Sequence, residues 1–241
     1  MAAADPRVFD PYAPGTQPMV PIPGYLQSRL RNPSEAPVRR ALTLSERTGP
    51  VWLASKVAQG ENNLAFLKPG VQALGSLIRV SGHVRDEDGR PVRGAMIEVW
   101  QCNAAGKYAH AADQRDAPLD PDFRGSGRVL TDNSGRYEFL TIKPAAYPVP
   151  DTNHWWRPPH IHFSIYGDGI MSRLVTQMYF PGEPLNAHCL ILNSVPDARA
   201  RERLVARFVA PVDAPADSSR GALAFSHDMV LRGRQQTPFT G

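Results

Sequence analysis

The sequence predicts an all-β fold: a β-sandwich of mixed and antiparallel strands with long loops, a proline-rich N-terminal arm and one short late helix. Three observations carry this. From residue 77 onward, short runs rich in β-branched and aromatic residues recur, several of them alternating apolar with polar. Turn sequences built from Asp, Asn, Ser and Gly separate the runs. Before residue 50, Pro11, Pro14, Pro18, Pro21 and Pro23 exclude a long helix. A chain of 241 residues fits one such sandwich as a single domain.

Taken in order, residues 1–50 form an arm and residues 51–241 the main domain. Val20, Ile22, Tyr25, Leu26 and Leu30 make the arm apolar enough to dock along a partner subunit, and residues 42–50 close it as a loop element. Runs 77–84 and 95–100, with the turn Asp86-Glu87-Asp88-Gly89 after the first, read as a β-hairpin with one buried face. Runs 127–131 and 136–142, joined by Asp132-Asn133-Ser134-Gly135, read as a second hairpin. The stretch after Pro159 alternates up to Gly167 and reads as a strand, with 173–180 as its neighbour and 224–231 as the last strand. The late helix starts at Pro196-Asp197, where Leu204, Val205, Phe208 and Val209 recur at helical spacing.

Hydrophobic content of 42% with 21% charged residues predicts a folded core rather than disorder. The net charge of +4 is mild, and no run of five basic residues occurs. Arg39-Arg40 and the arginines between 199 and 207 therefore read as solvated faces, and no nucleic-acid partner is expected. No secretory signal pattern and no membrane-spanning apolar run is present, so a cytoplasmic protein is expected. Cys102 and Cys189 lack C-x-x-C spacing and read as buried free thiols in a reducing compartment, with a disulfide between them left open.

The chemistry concentrates in Trp156-Arg157-Pro158-Pro159-His160-Ile161-His162-Phe163. On a strand, side chains two apart share a face, so both imidazoles look into one space and can share a metal ion. Metal-free strands also carry His-x-His, so the pair needs further donors to count. Tyr108 and Tyr147 supply them, each leaving a strand end on a loop. A phenol becomes an anionic ligand at neutral pH only beside a strong Lewis acid. Fe(III) is hard and oxygen-seeking, whereas zinc takes Cys, His and carboxylate. Taken singly, either tyrosine reads first as an ordinary half-buried aromatic, and only the combination with the paired histidines and Arg157 reads as a ligand set.

At these residues the sequence resembles the intradiol ring-cleaving dioxygenases. The resemblance runs through Asp88-Gly89-Arg90-Pro91-Val92, then Glu98-Val99-Trp100-Gln101-Cys102-Asn103-Ala104-Ala105-Gly106-Lys107-Tyr108, then Tyr147-Pro148 and the histidine strand, and covers the chain from about residue 40. It is nearest to the β-subunit branch that cleaves protocatechuate. It implies a transthyretin-like sandwich and one Fe(III) per chain, with Tyr108 and His160 equatorial, Tyr147 and His162 axial, and a hydroxide as fifth ligand. It implies that Tyr147 also acts as a base and that Arg157 stabilises negative charge on the ring. Trp100, Gln177 and Ile191 match positions that line the substrate pocket, and Tyr25 on the arm matches a tyrosine that helps hold the substrate carboxylate. The implied reaction takes protocatechuate and O2 to 3-carboxy-cis,cis-muconate in aromatic catabolism through the β-ketoadipate pathway. The implied partner is a homologous α subunit in repeated αβ units.

One residue departs from the pattern. Val149 stands where the branch carries a tryptophan, so Trp155 or Trp156 fills the space or the pocket is wider. Cleavage of catechol or hydroxyquinol by a homodimer is the alternative within the family. A transthyretin-like sandwich that binds a ligand without catalysis is the alternative outside it. His83, His110, His154, His188 and His227 match no motif position and are expected to be surface or hydrogen-bonded residues.

Overall fold

The computed structural model describes residues 12–25, 33, 35, 57–150, 152, 154–167, 173–209 and 221–240. The loop element expected at 42–50, and Leu26 and Leu30, lie outside them. The fold is mostly β with few helices. The first strands are β1 (Leu77–Arg85), β2 (Met96–Trp100), β3 (Ser126–Leu130) and β4 (Arg136–Ile142). Two short ones follow, β5 (Tyr147–Pro148) and β6 (Trp156–Arg157), then β7 (His160–Tyr166) and β8 (Leu174–Tyr179). The last are β9 (Arg207–Val209), β10 (Leu223–Ser226) and β11 (Met229–Val230). No helix among the described residues is long and apolar enough to cross a membrane.

One sheet is built on β1, which pairs antiparallel with β4 along one edge and parallel with β10 and β11 along the other. The second sheet runs β3-β2-β7-β8, all antiparallel. The two share one apolar core, with Ile78, Val80 and Phe139 from the first meeting Ile97, Ile161 and Phe163 from the second. Phe139 and Phe163 meet edge to face across it, their ring centroids 5.9 Å apart. Where β10 gives way to β11, the His227 backbone presses on β1. A Cβ at Gly82 would lie 1.9 Å from the His227 carbonyl oxygen, so only glycine fits there.

Neither expected hairpin forms. β1 and β2 lie in different sheets, and so do β3 and β4. The turns themselves do close: Asp86 N–H donates to the Arg90 carbonyl at 2.9 Å, and Asp132 N–H to the Arg136 carbonyl at 2.9 Å. But both edges of β1 are taken, by β4 and by β10 with β11. Pairing after the first turn therefore ends at a single bridge, Arg85 with Pro91, and the chain crosses to the other sheet. After the second turn, β4 returns to β1 rather than to β3.

The late helical region also differs. It holds two short helices, α1 (Leu190–Asn193) and α2 (Ala198–Glu202), behind a 3-10 turn at Pro184–His188. Asp197 caps α2 as expected, its carboxylate accepting from Ala200 N–H at 2.7 Å. The helix ends at Glu202, however, and Phe208 and Val209 lie in β9, paired with β10. Their helical spacing yields to a sheet edge where the Phe208 ring can pack on Phe225, 5.6 Å away.

These helices cover a second apolar cluster of Trp155, Tyr179, Ile191, Leu192, Val195 and Leu204. The described stretch of the arm lies on it. Ile22 and Tyr25 pack against the cluster, and Met19 N–H donates to the Ser194 carbonyl at 2.7 Å. Val20 does not dock on this surface and stays exposed. Cys102 and Cys189 are both buried and free.

Candidate metal centre

β7 organises the site. Its Ile161, Phe163 and Ile165 enter the core, so His160 and His162 fall on the opposite face. Cross-strand register then chooses their neighbours. Trp100 on β2 and Gln177 on β8 are the partners of His162, and Tyr179 is the partner of His160. The Trp100 ring stacks on the His162 imidazole, centroids 4.8 Å apart and planes 7° apart.

Tyr108 reaches the site on the loop after β2. The Asn103 side chain shapes that loop by accepting from the backbone N–H groups of Ala105 and Lys107, both at 2.9 Å. Gly106 follows with φ +77, and a Cβ on it would lie 2.9 Å from the Ala146 carbonyl oxygen and 3.2 Å from the Tyr147 Cβ. The loop can therefore lie directly against the segment that carries Tyr147. The two tyrosine rings meet edge to face, centroids 5.6 Å apart.

Both phenol oxygens lie 3.5 Å from His160 Nε2. His160 Nδ1 is 2.7 Å from the Pro158 carbonyl oxygen, which can only accept. Nδ1 therefore carries the proton, and Nε2 turns its lone pair toward the two phenols. The His162 ring lies 4.9 Å from that of His160, with its Nδ1 buried and without a partner. Two phenols and two imidazoles thus converge. Among the described residues no three His, Cys, Asp or Glu side chains cluster as metal ligands, so a metal here would need the tyrosines.

The electrostatics suit a hard cation. Burial, helped by the charge of Arg157, pushes His162 down to about 3 and His160 well below the usual imidazole range. Both rings are neutral at physiological pH, the form that binds metals. Burial raises both phenols above their ordinary range, so a strongly charged cation would be needed to ionise them. Burial also pushes Cys102 up to about 12, which keeps it a thiol.

Arg157 sits on β6 directly across from Tyr147 on β5. It is 5% exposed, donates to Gln177 Oε1 and, at 3.4 Å, to the Tyr179 hydroxyl, and leaves Nε unpartnered. Among the described residues no carboxylate pairs with it. Gln177 is oriented from behind, its Nε2 donating to the Thr240 carbonyl at 2.6 Å.

A family model described as Dioxygenase matches residues 47–233. The chain belongs to the intradiol ring-cleaving dioxygenases. It is 46% identical over 235 residues to the protocatechuate 3,4-dioxygenase beta chain of Burkholderia cepacia, covering 97% of each chain. It is 33% identical over 173 residues to the protocatechuate 3,4-dioxygenase alpha chain of Pseudomonas putida, covering 69% of this chain and 77% of that one. The crystal structure of catechol 1,2-dioxygenase from Pseudomonas arvilla C-1 is 26% identical with a TM-score of 0.52, covering 78% of this chain and 62% of that one.

In this intradiol dioxygenase the expected pocket residues divide into two groups. Trp100 and Gln177 stand beside the imidazoles. Ile191 and Tyr25 belong to the second cluster, one layer back, which reaches the site through Tyr179 and Trp155. The Tyr25 ring meets Trp155 edge-on at 5.3 Å, and the Tyr179 ring lies 6.0 Å from that of His160. Trp155, not Trp156, shares the surroundings of Val149: Val149 N–H donates to the Trp155 carbonyl at 2.9 Å, while Trp156 faces solvent.

Sequence reasoning missed three residues here. Tyr179 lies two after Gln177 on one strand face, a spacing that could have found it. Asp113 and Arg115 sit in a loop without periodicity, and nothing in the sequence ties them to Tyr147. Among the other histidines, His110 accepts a hydrogen bond from Ala112 N–H at 3.1 Å, as expected. His227 is instead a core residue, buried against Phe163 with its Nε2 unpartnered.

Proposed function

We propose that this chain is the iron-bearing β subunit of an αβ enzyme that cleaves protocatechuate with O2 to 3-carboxy-cis,cis-muconate, in cytoplasmic aromatic catabolism. Tyr108, Tyr147, His160 and His162 would hold one Fe(III). The observation that carries this reading is the approach of both phenol oxygens to 3.5 Å from the lone-pair nitrogen of His160. That is long for an O–H···N bond and leaves an ion to satisfy three donors at once. When bound, Fe(III) supplies the Lewis acidity that keeps the phenols ionised, chelates the diol and polarises its ring toward O2.

The chain's own residues do the rest. Tyr147 takes a proton from the substrate diol at its phenolate oxygen, and its buried surroundings favour the neutral phenol that results. Arg157 holds a positive charge across the ribbon from Tyr147 and stabilises negative charge developing on the substrate ring. The Pro158 carbonyl and the Trp100 ring fix the two imidazoles. Trp100 and Gln177 shape the pocket wall, and Ile191 and Tyr25 back it through Tyr179 and Trp155. The paired sheets are read as a transthyretin-like sandwich over 51–241, and the arm, residues 1–50, as a segment that also meets the α partner. Exposed Met19 and Val20 are available for that contact. Likeness to both an alpha and a beta chain supports an assembly of the two.

A second reading, cleavage of catechol or hydroxyquinol, is kept because Val149 replaces the tryptophan expected on the pocket wall of the protocatechuate branch. Visible absorption of the purified chain with its α partner, before and after anaerobic protocatechuate, separates the possibilities. The proposal expects a red-brown tyrosinate-to-iron band that shifts on adding protocatechuate. A band moved by catechol alone would change the substrate. A sample that stays colourless after iron loading would leave a binding module without this chemistry.

A further inference from the structure

We propose that Arg115 is a positioning residue for Tyr147, clamped by Asp113 so that one buried ion pair sets both tyrosines of the site. The inference rests on the reading of Tyr147 as an iron ligand. The Arg115 guanidinium carbon lies 4.3 Å from the centroid of the Tyr147 ring. Its Nε donates to Asp113 Oδ1 at 2.9 Å, and its Nη2 donates to the Gly106 carbonyl at 2.7 Å and to Asp113 Oδ2. Asp113 Oδ2 also accepts the Tyr108 backbone N–H at 2.9 Å. Lys107 Nζ closes the loop from the other side, donating to the Asp113 carbonyl at 2.8 Å and to the Arg115 carbonyl. The carboxylate thus holds the Tyr108 main chain, while the guanidinium it orients covers a face of the Tyr147 ring.

The pair is buried, with the Arg115 side chain 15% exposed and that of Asp113 7%. An ion pair taken out of water is often no more stabilising than apolar packing of the same volume, so stability alone is a weak reason for it. Its geometry points to an electronic role. A guanidinium over an aromatic face is attracted to the π electrons, and more strongly when the ring bears negative charge. Arg115 thereby lowers the energy of the filled orbitals of a Tyr147 phenolate and holds the ring plane when its oxygen is exchanged for substrate. The planar, forked guanidinium can stack on the ring and clasp the carboxylate together, and an ammonium cannot.

The test uses the iron-loaded chain assembled with its α partner. Arg115→Met should keep full iron content while the tyrosinate-to-iron band moves to longer wavelength, because the donor orbital rises when the cation is removed. It should lower kcat about tenfold with KM changed less than about twofold, the scale of one desolvated cation–π contact. Guanidinium ion added to the buffer should restore part of both. In a Tyr147→Phe background, Arg115→Met should move the band no further. An unshifted band and unchanged kcat in Arg115→Met at full iron content would overturn the proposal. If Tyr147→Phe alone leaves the wild-type band intact, the ligand reading fails first and this inference falls with it. Should Arg115→Met not fold, Arg115→Lys keeps the charge beside Asp113 without the stacking plane and is judged by the same band and kcat criteria.

Discussion

Tyr147 and Arg157 face each other as cross-strand partners in the two-residue ribbon of β5 and β6. The pairing sets a buried guanidinium beside a tyrosine whose ring is already covered by a second guanidinium, that of Arg115. The Arg157 charge has only neutral hydrogen-bond partners, Gln177 and Tyr179, so its burial beside this phenol costs least when the phenol is an anion.

Replacing Tyr147 by Phe removes one candidate ligand and leaves Tyr108, His160 and His162. Iron should remain bound at close to its wild-type content, the visible band should lose intensity, and turnover should fall by about 100-fold through loss of the base. Oxygen uptake with protocatechuate measures this. Wild-type turnover would remove the base role from Tyr147.

Arg157→Met tests whether that charge serves chemistry or structure. The residue is buried with neutral partners only, Gln177 and Tyr179, so an apolar side chain of similar length should leave thermal stability unchanged or raised. kcat/KM should fall by about 10²–10³, the scale of losing one charge-stabilising group in a closed site. A drop in Tm as large as the drop in activity would make Arg157 a structural residue.

Stability of the iron-free protein should depend on pH below neutrality. His162 is held down to about 3, His227 to about 4, and His160 well below its ordinary value, all chiefly by burial. An unfolded imidazole titrates near 6.5. Below that value the unfolded chain binds protons that the folded chain refuses, so stability is complete above about 6.5 and is lost as pH falls toward the folded values. Each histidine contributes a slope of at most about 1.4 kcal/mol per pH unit in that window. Urea midpoints at several pH values measure the slope. His227→Leu, away from the metal centre, should reduce it by one proton, and an unaltered slope would contradict the assignment.

Gly106→Ala should injure the site more than the fold. Its φ of +77 strains any side chain, and its Cβ would press on the Ala146 carbonyl and on Tyr147. Gly89→Ala is the control, with φ +79 and nothing within 4 Å of the added carbon. Both should lose about 1 kcal/mol of stability from backbone strain. Only Gly106→Ala should also shift the visible band of the iron-loaded protein. Equal effects on the band would mean that the loop is not held against Tyr147.

Much of the site was legible because its residues sit at positions that local sequence marks. The His160–His162 spacing declares a shared strand face, and Tyr108 and Tyr147 each follow the end of a strand. The pairing of Tyr147 with Arg157 and the Asp113–Arg115 clamp were not legible, since a two-residue ribbon and an irregular loop carry no periodicity. The strands were readable, and so was the pairing of β8 with β7, but the partners of β1 and β4 were not. Asp86 and Asp132 announce chain reversals, yet a turn says nothing about which strand edges are free. Phe208 and Val209 fit a helical spacing by coincidence, and the open edge of β10 claimed them.

The placement of β1 carries a cost in time. One of its edges waits for β10 and β11, whose partners lie about as far along the chain as Asp228 lies from His83, 145 positions. Contacts of such span must pay loop closure before they return any stabilisation, so refolding from denaturant should be slow for a chain of this size. During that interval the bare ladder of β1 is a template for any other copy's strand. Dilution during refolding therefore decides yield, and a nascent chain halted before residue 223 is the species most in need of a chaperone.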